Sequence, residues 1–283
     1  MHWQTTRFRI DLSRPRLMGI VNATPDSFSD GGRSTAAAQA LCERLVAEGA
    51  EIIDIGGEST RPGARAPGAD EEWARVGPVL RHALGLGVPV SVDTSEPRVM
   101  QQALALGVDI VNDVRALRRS GAFELLAAHA SAGVCLMHMR GEPDTMQSLT
   151  GYEDVVAEVG EFLCQRAKSM QDAGVAHDRI VIDPGIGFAK TDIDNFALLA
   201  RQRELAALGW PVLVGWSRKS ALGRLTGRAE GERLAASLAA ALAAVQGGAR
   251  VLRVHDVAAT ADALKVWQAA GLLRGPTEEE TQR

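Results

Sequence analysis

Leu17-Met18-Gly19-Ile20-Val21 is a short apolar run that stops on a polar residue, Asn22. The same pattern recurs along the chain. Apolar runs at 52–55, 88–92, 110–111, 134–137, 180–182, 211–214 and 251–254 end on Gly56-Gly57-Glu58-Ser59-Thr60-Arg61, Asp93, Asn112-Asp113, His138, Asp183, Gly215-Trp216-Ser217-Arg218-Lys219 and His255-Asp256. Arg253 interrupts the last of them. Stretches with helical spacing lie between the runs. Eight alternations of strand and helix predict an α/β chain folded as a (β/α)8 TIM barrel in a single domain. In that fold the carboxyl ends of the strands meet on one face, so the scattered polar endings should line one site.

Helix punctuation agrees. Ser34 precedes a predicted helix over 35–48 with Gly49 after it, Asp70 opens 71–84 before Gly85, and Ser95 with Pro97 opens a helix that stops at Gly107. Further helices are expected over 121–130, 152–173, 192–208, 230–246 and 257–270. The strand-to-helix loops 23–33, 56–69 and 139–151 are longer than such units need, whereas the helix-to-strand turns are short, which confines elaboration to one face. Residues 1–16 read as an N-terminal extension, 17–274 as the barrel and 275–283 as a polar C-terminal tail.

A chain of 283 residues, 46% hydrophobic and 23% charged, has ample material for one core, and a barrel of this kind takes about 250 residues. The net charge of −4 and the absence of Lys/Arg runs argue against a nucleic-acid partner. No apolar stretch approaches the roughly 20 residues of a membrane span, and the first residues lack the apolar segment of a secretory signal. A cytoplasmic location with no membrane partner is the expectation. Cys42, Cys135 and Cys164 are isolated in apolar surroundings and read as reduced core cysteines.

Asp93, Asn112 and Asp183 close three strands and Lys219 follows a fourth. Carboxylates and an amide facing a barrel mouth suit a flat heterocycle with a hydrogen-bonding edge, and a lysine adds a donor for a carbonyl oxygen. Helix capping is the competing reading for Asp93, but it cannot account for four polar strand ends. Arg253 and His255 alternate on the last strand and share an orientation. Barrel closure brings them beside Asn22, which makes an anion site, and Asn22 could also offer its carbonyl oxygen to a magnesium ion shared with phosphate oxygens. His138, between Met137 and Met139, reads as packing near the mouth. Dinucleotide loops, phosphate loops, HExxH and paired CxxC motifs are all missing from the sequence.

Four segments resemble the signatures of the dihydropteroate synthase family: Met18-Gly-Ile-Val-Asn-Ala-Thr-Pro-Asp-Ser-Phe-Ser-Asp-Gly-Gly32, Asp54-Ile-Gly-Gly-Glu-Ser-Thr-Arg-Pro-Gly63, Asp183-Pro-Gly-Ile-Gly-Phe188 and Ser217-Arg-Lys-Ser220. The resemblance spans nearly the whole chain. It implies the condensation of 6-hydroxymethyl-7,8-dihydropterin diphosphate with 4-aminobenzoate, giving 7,8-dihydropteroate and diphosphate with Mg2+. Carried over by position, it assigns Asp93, Asn112, Asp183, Lys219 and Arg253 to the pterin, and Asn22, Arg253 and His255 to diphosphate and metal. It assigns Thr60, Arg61, Pro62, Phe188 and Ser220 to 4-aminobenzoate. Asn22, Lys219, Arg253 and His255 are then the catalytic group, while Asp26, Phe28 and Asp30 belong to a loop lid. The resemblance further implies a homodimer. Two rivals are a pterin-barrel methyltransferase and a non-catalytic pterin-binding paralogue. The first-loop and STRPG segments disfavour the former, and the presence of Asn22, Arg61, Lys219 and Arg253 disfavours the latter.

Overall fold

A small antiparallel hairpin, β1 (His2–Gln4) and β2 (Arg9–Asp11), precedes the barrel in this computed structural model, which describes residues 1–24, 31–59 and 66–273, with 31–34 as backbone only. The barrel strands are β3 (Arg16–Asn22), β4 (Ile52–Gly56), β5 (Val90–Asp93), β6 (Ile110–Asp113), β7 (Gly133–Met137), β8 (Ile180–Asp183), β9 (Val212–Val214) and β10 (Ala249–Val254). All pair in parallel in chain order, and β10 returns to β3 to close the cylinder.

The two-residue side-chain period sorts each strand into a wet and a dry career. Outward residues such as Val21, Ile53, Ile55, Val92, Val134, Ile182, Val214 and Leu252 join one continuous core with the surrounding helices. Inward residues Met18, Ile52, Ile110, Cys135, Val181, Leu213 and Val251 form a separate cluster inside the cylinder, completed by Trp3, Ile10 and Leu12. Burying each such aliphatic side chain contributes roughly 1.5–3 kcal/mol. The hairpin therefore plugs the amino-terminal end of the barrel: Trp3 is fully buried, and its indole N–H donates to the Arg179 carbonyl at 3.0 Å. No strand was expected in 1–16, because Trp3, Ile10 and Leu12 are single apolar residues among polar ones, and only the open barrel floor gives them a surface to bury against.

The helices are α1 (Gly31–Ala47), α2 (Ala69–Ala83), α3 (Pro97–Ala105), α4 (Ala122–Ala128), α5 (Val155–Asp172), α6 (Asp192–Ala200), α7 (Gln202–Ala206), α8 (Ser220–Thr226), α9 (Leu234–Gln246) and α10 (Val257–Ala269). Asp154 caps α5 by accepting from the Val156 and Ala157 N–H groups at 2.9 and 3.1 Å, and Thr191 with Asp194 forms a reciprocal box at the start of α6. Four expectations need correction. The α3 cap is Glu96 rather than Ser95, whose hydroxyl donates instead to Asp113. Asp70 lies in the first turn of α2 behind Gly68, where its charge still complements the helix dipole. The helix expected over 192–208 breaks at Arg201 into α6 and α7, and Gln202 turns inward to donate to the Ala244 carbonyl at 2.7 Å. Finally, α8 occupies a stretch for which no helix was expected, being too short to show a period. The cysteines are all free, with Cys42 and Cys135 buried and Cys164 partly so.

Inside the cylinder the apolar layer is followed, toward the carboxyl ends, by a polar one. Asp54 stands level with Ile20 and Ser91, and beyond it Gly56, Asp93 and Asn112 fall in register across β4, β5 and β6. Met137 and Asp183 are level across β7 and β8. The switch from apolar to polar inside one barrel marks where packing gives way to a binding site.

Candidate active site

A cavity of about 490 Å³ opens at this polar end. Its wall includes Asn22, Asp93, Asn112, Asp183, Phe188, Lys219, Ser220, Arg253 and His255, together with Glu58, Ser59 and Ser217. Every expected site residue within the described part of the chain thus faces one space. Thr60, Arg61 and Pro62 of the second loop, and Asp26, Phe28 and Asp30 of the first, lie outside the described residues.

The floor is an ion network. Arg253 donates through Nε to Asp54 Oδ2 at 2.6 Å and through Nη2 to Asp93 Oδ2 at 2.7 Å, and Asn112 Nδ2 reaches the same Asp54 oxygen at 3.3 Å. The anion site expected from Asn22, Arg253 and His255 is changed by this geometry. All three border the cavity, but the Arg253 guanidinium is committed to two carboxylates on the floor. Asp93 does not cap α3, since Glu96 does. Asp183 Oδ1 accepts the Gly185 N–H at 2.7 Å, which orients the carboxyl toward the mouth within a glycine turn. Lys219 Nζ sits 4.5 Å above the Phe188 ring, a cation–π contact that holds the aromatic wall.

Burial drives the electrostatics. It raises Asp93 to about 7, against the lowering pull of Arg253 and with the help of the Asp54 charge. Asp183 rises to about 6 for the same first reason, restrained by the Gly185 N–H and by Lys219. Burial lowers Lys219 to about 8 despite Asp183, and lowers His255 to about 3 with Arg253 and Arg218 adding repulsion. His255 is therefore neutral at pH 7. Ser217 Oγ accepts the His255 backbone N–H at 3.1 Å and lies 3.0 Å from Nδ1, so its own proton is available to Nδ1. In that arrangement the ring proton sits on Nε2, and the imidazole can act as a neutral donor.

A ligand that presents N–H groups to Asp93 and Asp183 and a carbonyl to Lys219 needs both carboxylates ionised and the amine protonated. Its affinity should fall as pH drops through 7 and 6, and fall again as pH rises past 8. Calorimetric titration across that range checks this, and a flat profile would contradict it.

Several contributors were not legible as site residues. Asp54, fully buried in β4, carries no polar strand-end signature because Ile53 and Ile55 flank it. Its position between two isoleucines was nevertheless a signal, since an apolar strand has no use for a carboxylate. Arg115, almost wholly buried, grips Glu58 with two bonds of 2.9 and 3.0 Å and reaches Glu142 at 2.5 Å, which ties the loops after β4 and β7 to that after β6. His138 is buried near the mouth, as expected, but its partner is unexpected: Lys190 Nζ lies 3.0 Å from Nδ1. Met137 lines the cavity, while Met139 packs behind it with Met146 and Ala189.

A closed parallel barrel carries at its carboxyl mouth a pocket of two carboxylates, an amide and a lysine, a set of groups that suits a flat, polar-edged heterocycle. Residues 18–255 match the pterin-binding enzyme family. The dihydropteroate synthase of Neisseria meningitidis serogroup B is 54% identical over 95% of this chain and 98% of its own length, and that of Escherichia coli K12 is 45% identical over 92% and 93%. The crystal structure of Burkholderia cenocepacia dihydropteroate synthase complexed with 7,8-dihydropteroate superposes with a TM-score of 0.88 at 48% identity, covering 95% of this chain and 96% of that one. The Xanthomonas albilineans enzyme with 4-aminobenzoic acid gives 0.88 at 51% identity, covering 93% and 95%. The chain belongs to the pterin-binding enzymes and, among them, to the dihydropteroate synthase family.

Proposed function

We propose that the protein transfers a pterinylmethyl group from 6-hydroxymethyl-7,8-dihydropterin diphosphate to 4-aminobenzoate, releasing diphosphate and forming 7,8-dihydropteroate. The observation that carries this reading is the convergence of Asp93, Asn112, Asp183 and Lys219 on one cavity that Asn22 and His255 also line. Asp93, Asn112 and Asp183 take the amino and ring N–H edge of the pterin, and Lys219 takes its carbonyl oxygen. Arg253, held on the floor by Asp54 and Asp93, lies against the ring rather than reaching freely for the leaving group. Phe188 and Ser220 form the 4-aminobenzoate side, to which the family resemblance adds Thr60, Arg61 and Pro62.

The methylene carbon is attached to an electron-rich ring, so its C–O bond can weaken ahead of attack by the poorly nucleophilic arylamine. The new N–C bond forms as the C–O bond breaks, the electron pair leaves with diphosphate, and the alkylated nitrogen releases its proton without an obligatory base. Asp93 and Asp183, ionised, favour the positive charge that develops on the pterin. The neutral His255 donates its N–H toward the departing diphosphate. Asn22 fits a magnesium ion brought in with that diphosphate. Its side chain makes no hydrogen bond among the described residues, and they contain no cluster of three acidic, His or Cys side chains that would cage a metal alone. When bound, the ion neutralises charge on the leaving group.

The reading extends to a homodimer and a cytoplasmic setting. Leu225, Leu234 and Val266, exposed on α8, α9 and α10, supply apolar surface for a second copy, and no helix among the described residues is long and apolar enough to cross a membrane. Purified protein given both substrates and Mg2+ should release diphosphate and form dihydropteroate together. Diphosphate release that yields no dihydropteroate when the arylamine is present would overturn the assignment. Arg253→Ala should weaken pterin binding whether or not diphosphate is attached, because the guanidinium sits at the ring; a loss confined to the diphosphate form would return Arg253 to the anion site.

A further inference from the structure

The turn after β8, residues 184–191, is pressed into an unusual shape. Gly185, Gly187 and the non-glycine Ala189 all have left-handed backbones, at φ +69°, +82° and +53°. A Cβ on Gly185 would stand 2.0 Å from the His138 carbonyl oxygen, so one side of the turn abuts the end of β7. A Cβ on Gly187 would stand 3.3 Å from Lys219 Cδ, so the other side abuts the lysine of the cavity. Ala189 holds a conformation that side chains disfavour, and such strain persists only where surrounding bonds over-determine it.

Those bonds converge from behind the turn on one buried ammonium. Lys190 Nζ donates to Phe188 O at 3.0 Å and Gly185 O at 3.1 Å, and meets His138 Nδ1 at 3.0 Å. His138, kept neutral by burial and by the neighbouring Lys190 charge, can accept there. Tyr152 Oη donates to Ala189 O at 3.0 Å, and Asn195 Oδ1 accepts the Gly187 N–H at 2.6 Å. Lys190 is 3% exposed and, among the described residues, hydrogen-bonds to no carboxylate. Burial pulls the Lys190 amine down to about 7, so holding it here is expensive, and an apolar side chain would pack more cheaply if the turn did not need its donors.

We propose that Lys190 is a positioning residue: by holding the carbonyls of Gly185 and Phe188 it fixes the Phe188–Lys219 wall, and so sets affinity for the arylamine substrate rather than for the pterin. The inference rests on the proposed function, which places 4-aminobenzoate against Phe188. Without the ammonium, two buried carbonyls lose their donor and the turn relaxes from its left-handed path. Phe188 then leaves its place under Lys219. Asp93, Asn112 and Arg253 sit on other strands and keep their geometry, and Asp183, although its carboxyl accepts from Gly185, is held at the end of β8, where its carbonyl accepts the His138 N–H at 2.9 Å.

The test uses steady-state kinetics with both substrates and Mg2+, alongside thermal unfolding. Wild-type turnover comes first, because its absence would sink the proposed function without bearing on Lys190. In Lys190→Met the KM for 4-aminobenzoate should rise about tenfold or more, while the KM for the pterin diphosphate moves less than about threefold. Lys190→Arg, which keeps donors, should fall between the two. Tyr152→Phe, which removes one bond to the same turn at a half-buried position, should raise the same KM by a smaller factor. It carries the test if Lys190→Met does not fold. An unchanged 4-aminobenzoate KM, or equal losses on both substrates, would overturn the assignment.

Discussion

Replacing Asp54 with asparagine is expected to lower kcat/KM for the pterin diphosphate by about two to three orders of magnitude, with the fold intact. Asp54 Oδ2 accepts from Arg253 Nε and from Asn112 Nδ2, so one buried oxygen sets two side chains of the proposed pterin pocket. Its other oxygen, Oδ1, has no partner among the described residues, nor has Ser91 Oγ, which stands level with it on β5. An asparagine can keep its oxygen toward Arg253 and turn its amide toward Ser91, which preserves shape and packing. The charge is lost. Among the described residues Arg253 then has Asp93 as its sole anionic hydrogen-bond partner and, in the proposed function, competes with the pterin for that carboxylate. Breaking up a buried ion pair costs about 3–5 kcal/mol, and each 1.36 kcal/mol is about a decade in rate. A second signature separates this from general damage. Asp54 helps to hold Asp93 up at about 7, so removing its charge should move the acid limb of the pH profile to lower pH. Kinetics within about threefold of wild type, or an acid limb that stays put, would show that the network does not govern the pocket.

The sequence made some of this visible and hid the rest for physical reasons. Strand ends were legible because a buried apolar run that halts on Asn22, Asp93, Asn112 or Asp183 breaks a strong pattern at one point. Barrel closure then required those ends to converge, and they do. Asp54 was hidden because it sits one inward position before its strand end, where a site residue and an oddity of packing look alike in one dimension. Lys190 was hidden for a different reason: its partners are carbonyl groups, which every residue carries, so no side-chain pattern announces them. The hairpin under the barrel was equally silent, since Trp3 and Ile10 acquire their meaning from a floor built by residues up to Val251. What pairs through backbone carbonyls, or across 199 positions through a shared oxygen as Asp54 and Arg253 do, leaves no local period to find.

Lys219→Ala should be the most damaging single change in the cavity wall, costing about 3–4 kcal/mol and hence roughly a thousandfold in kcat/KM. Two roles meet at this ammonium. In the proposed function it donates to the pterin carbonyl, a charge-assisted bond of about 1.5–3 kcal/mol, and it lies over Phe188 at 4.5 Å, a cation–π contact of about 1–2 kcal/mol when desolvated. Because the two substrates share it, both KM values should rise along with the fall in kcat. That pattern distinguishes it from Lys190, whose loss is confined to one substrate. The pH dependence again gives an independent sign. Lys219 restrains the rise of Asp183, which burial already carries to about 6, so removing the ammonium should push Asp183 higher and move the acid limb to higher pH. The alkaline limb near 8, which belongs to Lys219 itself, should vanish. The two substitutions thus displace the same limb in opposite directions, Asp54→Asn downward and Lys219→Ala upward. Shifts of the same sign, or an alkaline limb that survives in Lys219→Ala, would mean that Asp93, Asp183 and Lys219 do not act on the pterin as one coupled set.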